Sequence, residues 1–341
     1  MNERIYWQKI RGICILAVIL IHSFIGYNYI GQEKNEIIWI IIRQMINFAV
    51  PVFIFMSGYF IKQENFLKKN FDYIEWLITR GGGRLLIPFI LWSVFYSMIL
   101  IMPQVIHHKD VNWSKIMFRF ITGKAATPFY YIVVLLQLTL ITPCIVKIVH
   151  KGKKLGKICW FITPIYIVYV YMYNIITGHA PLLYETLFPA WFIFYYLGIE
   201  VRHGMKLNGN LKVVIMAFLV SCLEAFLLKY YGMSSGFYTS QITVGSFLYS
   251  ISIIGVVLEK VEEDGEKNVL WQMGNCSYGI FYIHMFMLMI CGKIIDKFSD
   301  NWIVYWGFRF ILTTMTSYIV VKIMQNILKN SRKALKYIGF V

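Results

Sequence analysis

Two ionisable side chains stand in the first apolar run of the chain, IRGICILAVILIHSFIGYNYI: Arg11 and His22. Eleven residues make about three helical turns, so both side chains fall on one helical stripe, about 16 Å apart along the axis. One then sits near a membrane surface and the other near mid-depth. A guanidinium offers a fork of donors to phosphate or carboxylate. An imidazole exchanges protons near neutral pH. Placing such groups inside hydrocarbon costs at least a few kcal/mol, so they are expected to line a cavity or pathway rather than to face lipid.

The elements that position this pair are set by composition. The chain has 341 residues, of which 58% are hydrophobic and 15% charged, with mean hydropathy +0.61; a soluble domain is roughly 25% charged. The sequence therefore predicts an all-α integral membrane protein. The apolar segments 10–30, 37–61, 85–106, 128–149, 158–177, 187–201, 211–230, 240–258, 271–292 and 302–325 are the expected spans, most of them near the ~20 residues a crossing helix needs. They predict one bundle of about ten helices and a single domain over 1–341. A β-barrel is excluded, because the runs are continuously apolar rather than alternating.

With the N-terminus inside, the inward segments carry 23 of the 33 Lys and Arg and the outward ones 8, Arg43 and Arg309 lying within spans. That bias predicts cytoplasmic termini. The formal charge of +16 is then mostly a rim facing anionic lipid, and no nucleic-acid partner is implied. The first run exceeds a signal-peptide core and lacks a small-residue cleavage site, so it is expected to be retained. The six cysteines, at 14, 144, 159, 222, 276 and 291, form no CxxC pair and imply neither a disulfide scaffold nor a metal site.

A second cluster is TRGGGRLLIPF at 79–89. Its three glycines weaken a rigid helix and free the backbone for close approach to a ligand, so Arg80 and Arg84 with loop amides would form a phosphate-binding corner, unless they only anchor the cytoplasmic face. Deeper polar residues are few: His284 near mid-depth, Arg43 and Arg309 in the outer thirds of their spans, and Glu224 well inside one. His284 either faces the site or is satisfied by a backbone carbonyl; Glu224 either serves substrate or pairs with Arg43 or Arg309. The outward segment 107–127 reads as an amphipathic surface helix, and Ser57-Gly58 and Gly279 as helix-packing positions.

These residues together carry a resemblance. Arg11, ten intervening residues and His22, followed by VPVFIFMSGYF at 50–60, RLLIPF at 84–89, FYYIVVLLQLTLITP at 129–143, WFIFYYLGI at 191–199 and SYGIFYIH at 277–284, resemble in order the motifs of the acyltransferase type 3 family, membrane enzymes that acylate cell-surface glycans. Two positions depart from that pattern: Gln8 stands where the family often has an acidic residue, and Gly81 where its first third-span arginine falls, with Arg80 one position away. The chain also ends without the extracytoplasmic hydrolase-like domain of some members, so the bundle or a partner is expected to complete the transfer.

The resemblance implies a multi-pass plasma-membrane O-acyltransferase using cytosolic acyl-CoA, most simply acetyl-CoA, and a cell-surface glycan acceptor, with no metal. It implies His22 and Arg11 as the catalytic pair and Arg11, Arg80 and Arg84 on the nucleotide of the donor; the other polar residues inside spans, Arg43, Glu224, His284 and Arg309, are the expected further substrate contacts. His22 would act as general base or as the acylated nucleophile. A small-solute transporter or flippase on the same kind of bundle is the competing reading, and a structural subunit of a glycan-synthesis complex the third.

Overall fold

The computed structural model describes residues 2–24, 33–261, 266–295 and 302–340, and the described residues contain helices and no strand. Residues 25–30 of the first expected span and 262–265 of the acidic segment lie outside the described residues. In chain order the helices are α1 (Asn2–Ser23), α2 (Glu33–Ile46), α3 (Ala49–Tyr59), α4 (Tyr73–Trp76), α5 (Gly82–Ile106), α6 (Trp113–Ile121), α7 (Tyr130–Lys151) and α8 (Lys153–Cys159). They continue as α9 (Ile162–Thr177), α10 (Phe192–Arg202), α11 (Leu211–Tyr230), α12 (Ser235–Tyr238), α13 (Val244–Glu259), α14 (Val269–Ile295), α15 (Trp302–Ile327) and α16 (Arg332–Ile338).

Among the described residues, eight helices are long and apolar enough to cross a membrane, and each overlaps an expected span. The expected spans 187–201 and 240–258 form shorter helices, α10 with 11 residues and α13 with 16. Helix α10 is the centre of the bundle: every residue from Phe192 to Ile199 is buried. The outer helices do the reverse. Ile165, Val168, Met172 and Ile175 of α9 and Met216, Leu219, Val220 and Leu223 of α11 are exposed aliphatics, an apolar perimeter suited to lipid rather than water.

Two glycine crossings set the core. A Cβ on Gly12 would collide with the Leu270 carbonyl, and one on Gly274 with the Gln8 carbonyl, so α1 and α14 touch through their backbones. Gly58 and Gly198 bring α3 and α10 together in the same way. Without a water-driven hydrophobic term inside the bilayer, such close backbone contact supplies dispersion energy that bulky residues would forfeit. The second expected span is broken at Asn47-Phe48, between α2 and α3. The break lets Asn47 Nδ2 donate to Gln44 Oε1 at 2.9 Å and Ser246 Oγ at 3.0 Å.

One expectation about local structure changes. The glycine-rich stretch is helical: a wide π turn over Leu77–Gly81 runs directly into α5. Its amides are therefore committed to helix rather than free in a loop, because Gly lowers helix propensity by only ~1 kcal/mol and the apolar helix that follows outweighs that. The amphipathic helix expected within 107–127 forms as α6, capped by the Asn112 side chain, which accepts from the Lys115 amide at 2.9 Å. Its Trp113, Met117 and Ile121, four residues apart, form an exposed apolar stripe.

Candidate active site

Ten residues beyond Gly12, α1 presents His22; ten residues beyond Gly274, α14 presents His284. The two helices run parallel from the glycine crossing, so an equal advance of about 15 Å brings the imidazoles side by side. Their ring centres are 5.6 Å apart and both residues are buried. His284 Nδ1 lies 2.8 Å from the Phe281 carbonyl and 3.1 Å from that of Ile280. A carbonyl only accepts, so Nδ1 carries the proton and Nε2 of the neutral ring holds a lone pair. Among the described residues, His284 Nε2 and His22 Nδ1 are buried without a hydrogen-bond partner. The backbone satisfaction expected of His284 is therefore real but uses one nitrogen only.

His22 lines a small cavity of about 90 Å³ with Arg43, Tyr130, Glu185 and Gln241. Toward the end of the bundle that holds Arg11, the rings of Phe53, Tyr131 and Phe281 separate it from a larger cavity of about 520 Å³, and belong to the lining of both. That larger cavity is lined by Arg11, Arg84, Arg332 and Lys336 beside Ser57, Ser277 and Tyr278. The Arg11 guanidinium lies over the Phe60 ring, 5.5 Å from its centre. Arg84 is exposed, and its carbonyl accepts from the Tyr278 hydroxyl at 3.0 Å, tying the start of α5 to α14. A further cavity of about 540 Å³, containing Lys62 and Asn65, shares Ser57, Arg84 and Leu85 with it. The side chain of Arg80 lies outside the described ones.

In the opposite direction the His22 cavity shares Thr127, Tyr130 and Glu185 with an outer cavity of about 370 Å³, which Lys124 and the loop 180–186 complete. Glu185 is the carboxylate at that neck. It accepts from the Tyr184 hydroxyl at 3.0 Å. Burial raises its pKa above the ordinary carboxylate value, against the opposing pull of the Tyr184 hydrogen bond, Arg43 and Lys124. Arg43 donates to Asn47 Oδ1 at 2.7 Å and so holds its place beside the break between α2 and α3. The mouth cavity, the His22 cavity and the outer cavity thus adjoin in order through shared lining residues, with His22 in the smallest.

Two expected contacts fall elsewhere. Glu224 pairs with neither Arg43 nor Arg309: it accepts from the Tyr171 hydroxyl and from the Val244 and Gly245 amides, the last at 2.6 Å. It caps the start of α13, where unpaired amides and the helix dipole favour a negative charge over a distant guanidinium. Arg309 packs over the Tyr305 ring, 5.7 Å from its centre, and against Gly292. It lines none of the four cavities.

Sequence reasoning missed Glu185, Tyr130, Tyr131, Arg332 and Lys336. Glu185 carried a signal, as the single acidic residue of an outward loop between two spans. The others had none, because tyrosines, lysines and arginines are abundant in the chain. The family model described as an acyltransferase domain, acyltransferase type 3, matches residues 5–322. No match was found among curated proteins or among solved structures.

Proposed function

Because the chain belongs to the acyltransferase type 3 family, and is thus a multi-pass membrane acyltransferase, we propose that it carries an acetyl group from cytosolic acetyl-CoA to a hydroxyl of a cell-surface glycan. Supporting this reading is the row of cavities that leads from a cation-lined mouth to His22 and from His22 to the opposite end. Family membership speaks for transfer rather than for carriage of an intact solute.

In this reading the phosphates of the donor lie at Arg11 and Arg84, each charge-assisted hydrogen bond contributing ~1.5–3 kcal/mol. The pantetheine arm passes Phe53, Tyr131 and Phe281 and brings the thioester toward His22. The acceptor hydroxyl arrives past Thr127, Tyr130 and Glu185. His22 takes the hydroxyl proton as the oxygen bonds to the thioester carbonyl carbon; the C–S bond then breaks and the thiolate takes up the proton. His284 is a positioning residue: its ring packs beside that of His22, with centres 5.6 Å apart, and holds the base in place.

The deciding experiment uses purified protein in vesicles of known orientation, with acetyl-CoA labelled in the acetyl group on the cation-rich side and a polysaccharide on the other. Label is expected on the polysaccharide, CoA is expected to stay on the donor side, and both transfer and slow hydrolysis are expected to vanish in His22→Ala. Passage of intact solute, with no thioester consumed, would replace this reading with a carrier.

A further inference from the structure

The family match ends at residue 322, yet two of the four cations lining the mouth cavity, Arg332 and Lys336, come from the short α16 beyond it. Four residues apart on one helix, they share a face. Among the described residues the lining of this cavity contains no Asp or Glu. Positive charge concentrated in a walled cavity without a carboxylate is a site for a polyanion.

The segment is held in place. Ser331 caps α16, and the Trp92 indole of α5 donates to the Ile338 carbonyl at 2.9 Å. Gln325 of α15 donates to the Phe340 carbonyl at 3.0 Å. Phe340, only 2% exposed, stacks on Trp92 with ring centres 5.9 Å apart. The turn that sends Phe340 inward uses Gly339 at φ +76°, against the Tyr282 ring; an L side chain is strained there. Arg332, Lys333 and Tyr337 are all exposed, but unlike Arg332 and Lys336, Lys333 and Tyr337 line none of the four cavities. A helix that served only to rest on lipid would not need its C-terminal end buried among three spans.

We propose that the C-terminal segment 332–340 completes the donor site, with Arg332 and Lys336 binding phosphate together with Arg11 and Arg84 and Phe340 acting as the anchor that fixes them. This rests on the reading of the mouth cavity as the place of the donor nucleotide. Phosphate here belongs either to CoA or to an anionic lipid headgroup, and the test separates the two.

Binding of CoA to the purified full chain is measured by calorimetry in detergent free of anionic lipid and again in nanodiscs containing phosphatidylglycerol. The double variant Arg332→Ala with Lys336→Ala is expected to weaken CoA binding ~10- to 100-fold in both media, with a smaller salt dependence. The KM for acetyl-CoA hydrolysis should rise while kcat holds. The exchange Arg332→Lys with Lys336→Arg should recover most of the affinity, Phe340→Ala should lose part of it with both cations still present, and Lys333→Ala should match wild type. CoA affinity unchanged in the double variant, beside a wild type that binds CoA, overturns the proposal; loss of phosphatidylglycerol binding in that same variant would assign the cations to lipid. A wild type that does not bind CoA overturns the donor reading of the cavity, and this inference with it.

Discussion

At the scale of single residues the bundle holds two imidazoles in contact, one with a satisfied Nδ1 and one without. His22→Ala is expected to lower acyl transfer by about two to four orders of magnitude, the range for a positioned base, with the membrane level of the protein unchanged. His284→Ala is expected to cost less, because it removes the ring packed beside the base but leaves the base present; equal losses, measured as kcat of donor hydrolysis, would refute that ranking. Glu185 makes a pH prediction. The titratable groups that share its cavities are His22, Tyr130, Tyr131, Arg43, Tyr184 and Lys124, and burial lifts its pKa. The carboxylate therefore forms only at a higher pH than usual, and if it holds the acceptor hydroxyl, transfer to glycan should fall as pH drops through that raised value while hydrolysis of the donor does not. In Glu185→Gln that limb should be absent from the transfer profile. A limb that persists in the variant belongs to another group.

At the scale of elements, the parallel pair α1 and α14 places the histidines, and its register depends on Gly12 and Gly274 meeting the opposing backbone. Gly12→Val or Gly274→Val must push the helices apart, since backbone carbonyls rather than flexible side chains occupy the space. Overpacking of this kind costs ~1–3 kcal/mol or more. Thermal unfolding in detergent should shift downward in both variants, and turnover should drop even at temperatures where the protein stays folded, because the imidazoles separate with their helices. A variant that unfolds normally and turns over normally would show that the crossing does not set the site. The equivalent change at Gly307, where an added Cβ meets nothing within 4 Å, serves as the control.

At the scale of the whole molecule, contacts gather the connecting segments at two ends. Glu3 with Tyr59 and Arg202, His150 with Gln63, and Gly209 with Glu259 meet at one; Glu36 with Lys229 and Tyr238, and Tyr184 with Gly236, meet at the other. The charge bias predicts that the first end faces the cytoplasm. In a cysteine-free background, single cysteines at the exposed positions Leu182 and Tyr231 are expected to react with an impermeant thiol reagent applied to sealed cells, and cysteines at Lys157 and Lys267 only after the membrane is opened. Labelling of Lys157→Cys from outside would invert the molecule and with it the assignment of the donor side.

The sequence by itself determined the membrane class, the place of most helices and the shared stripe of Arg11 and His22, because hydropathy and helical period are local properties that neighbouring residues settle among themselves. The family motifs lay along the same helices and were legible for the same reason. What only the tertiary structure decided are the meetings between distant segments. His284 stands beside His22 because two glycines let α1 and α14 touch; Glu224 went to the amides at the start of α13 rather than to an arginine, because capping satisfied several donors at once. The glycine-rich stretch became helix under the pull of the apolar residues after it. Glu185 at the outer neck, and Arg332 and Lys336 at the cation-lined mouth, arrive through folds of chain whose partners lie on other helices. No periodicity within a segment encodes which cavity a loop or a tail will close.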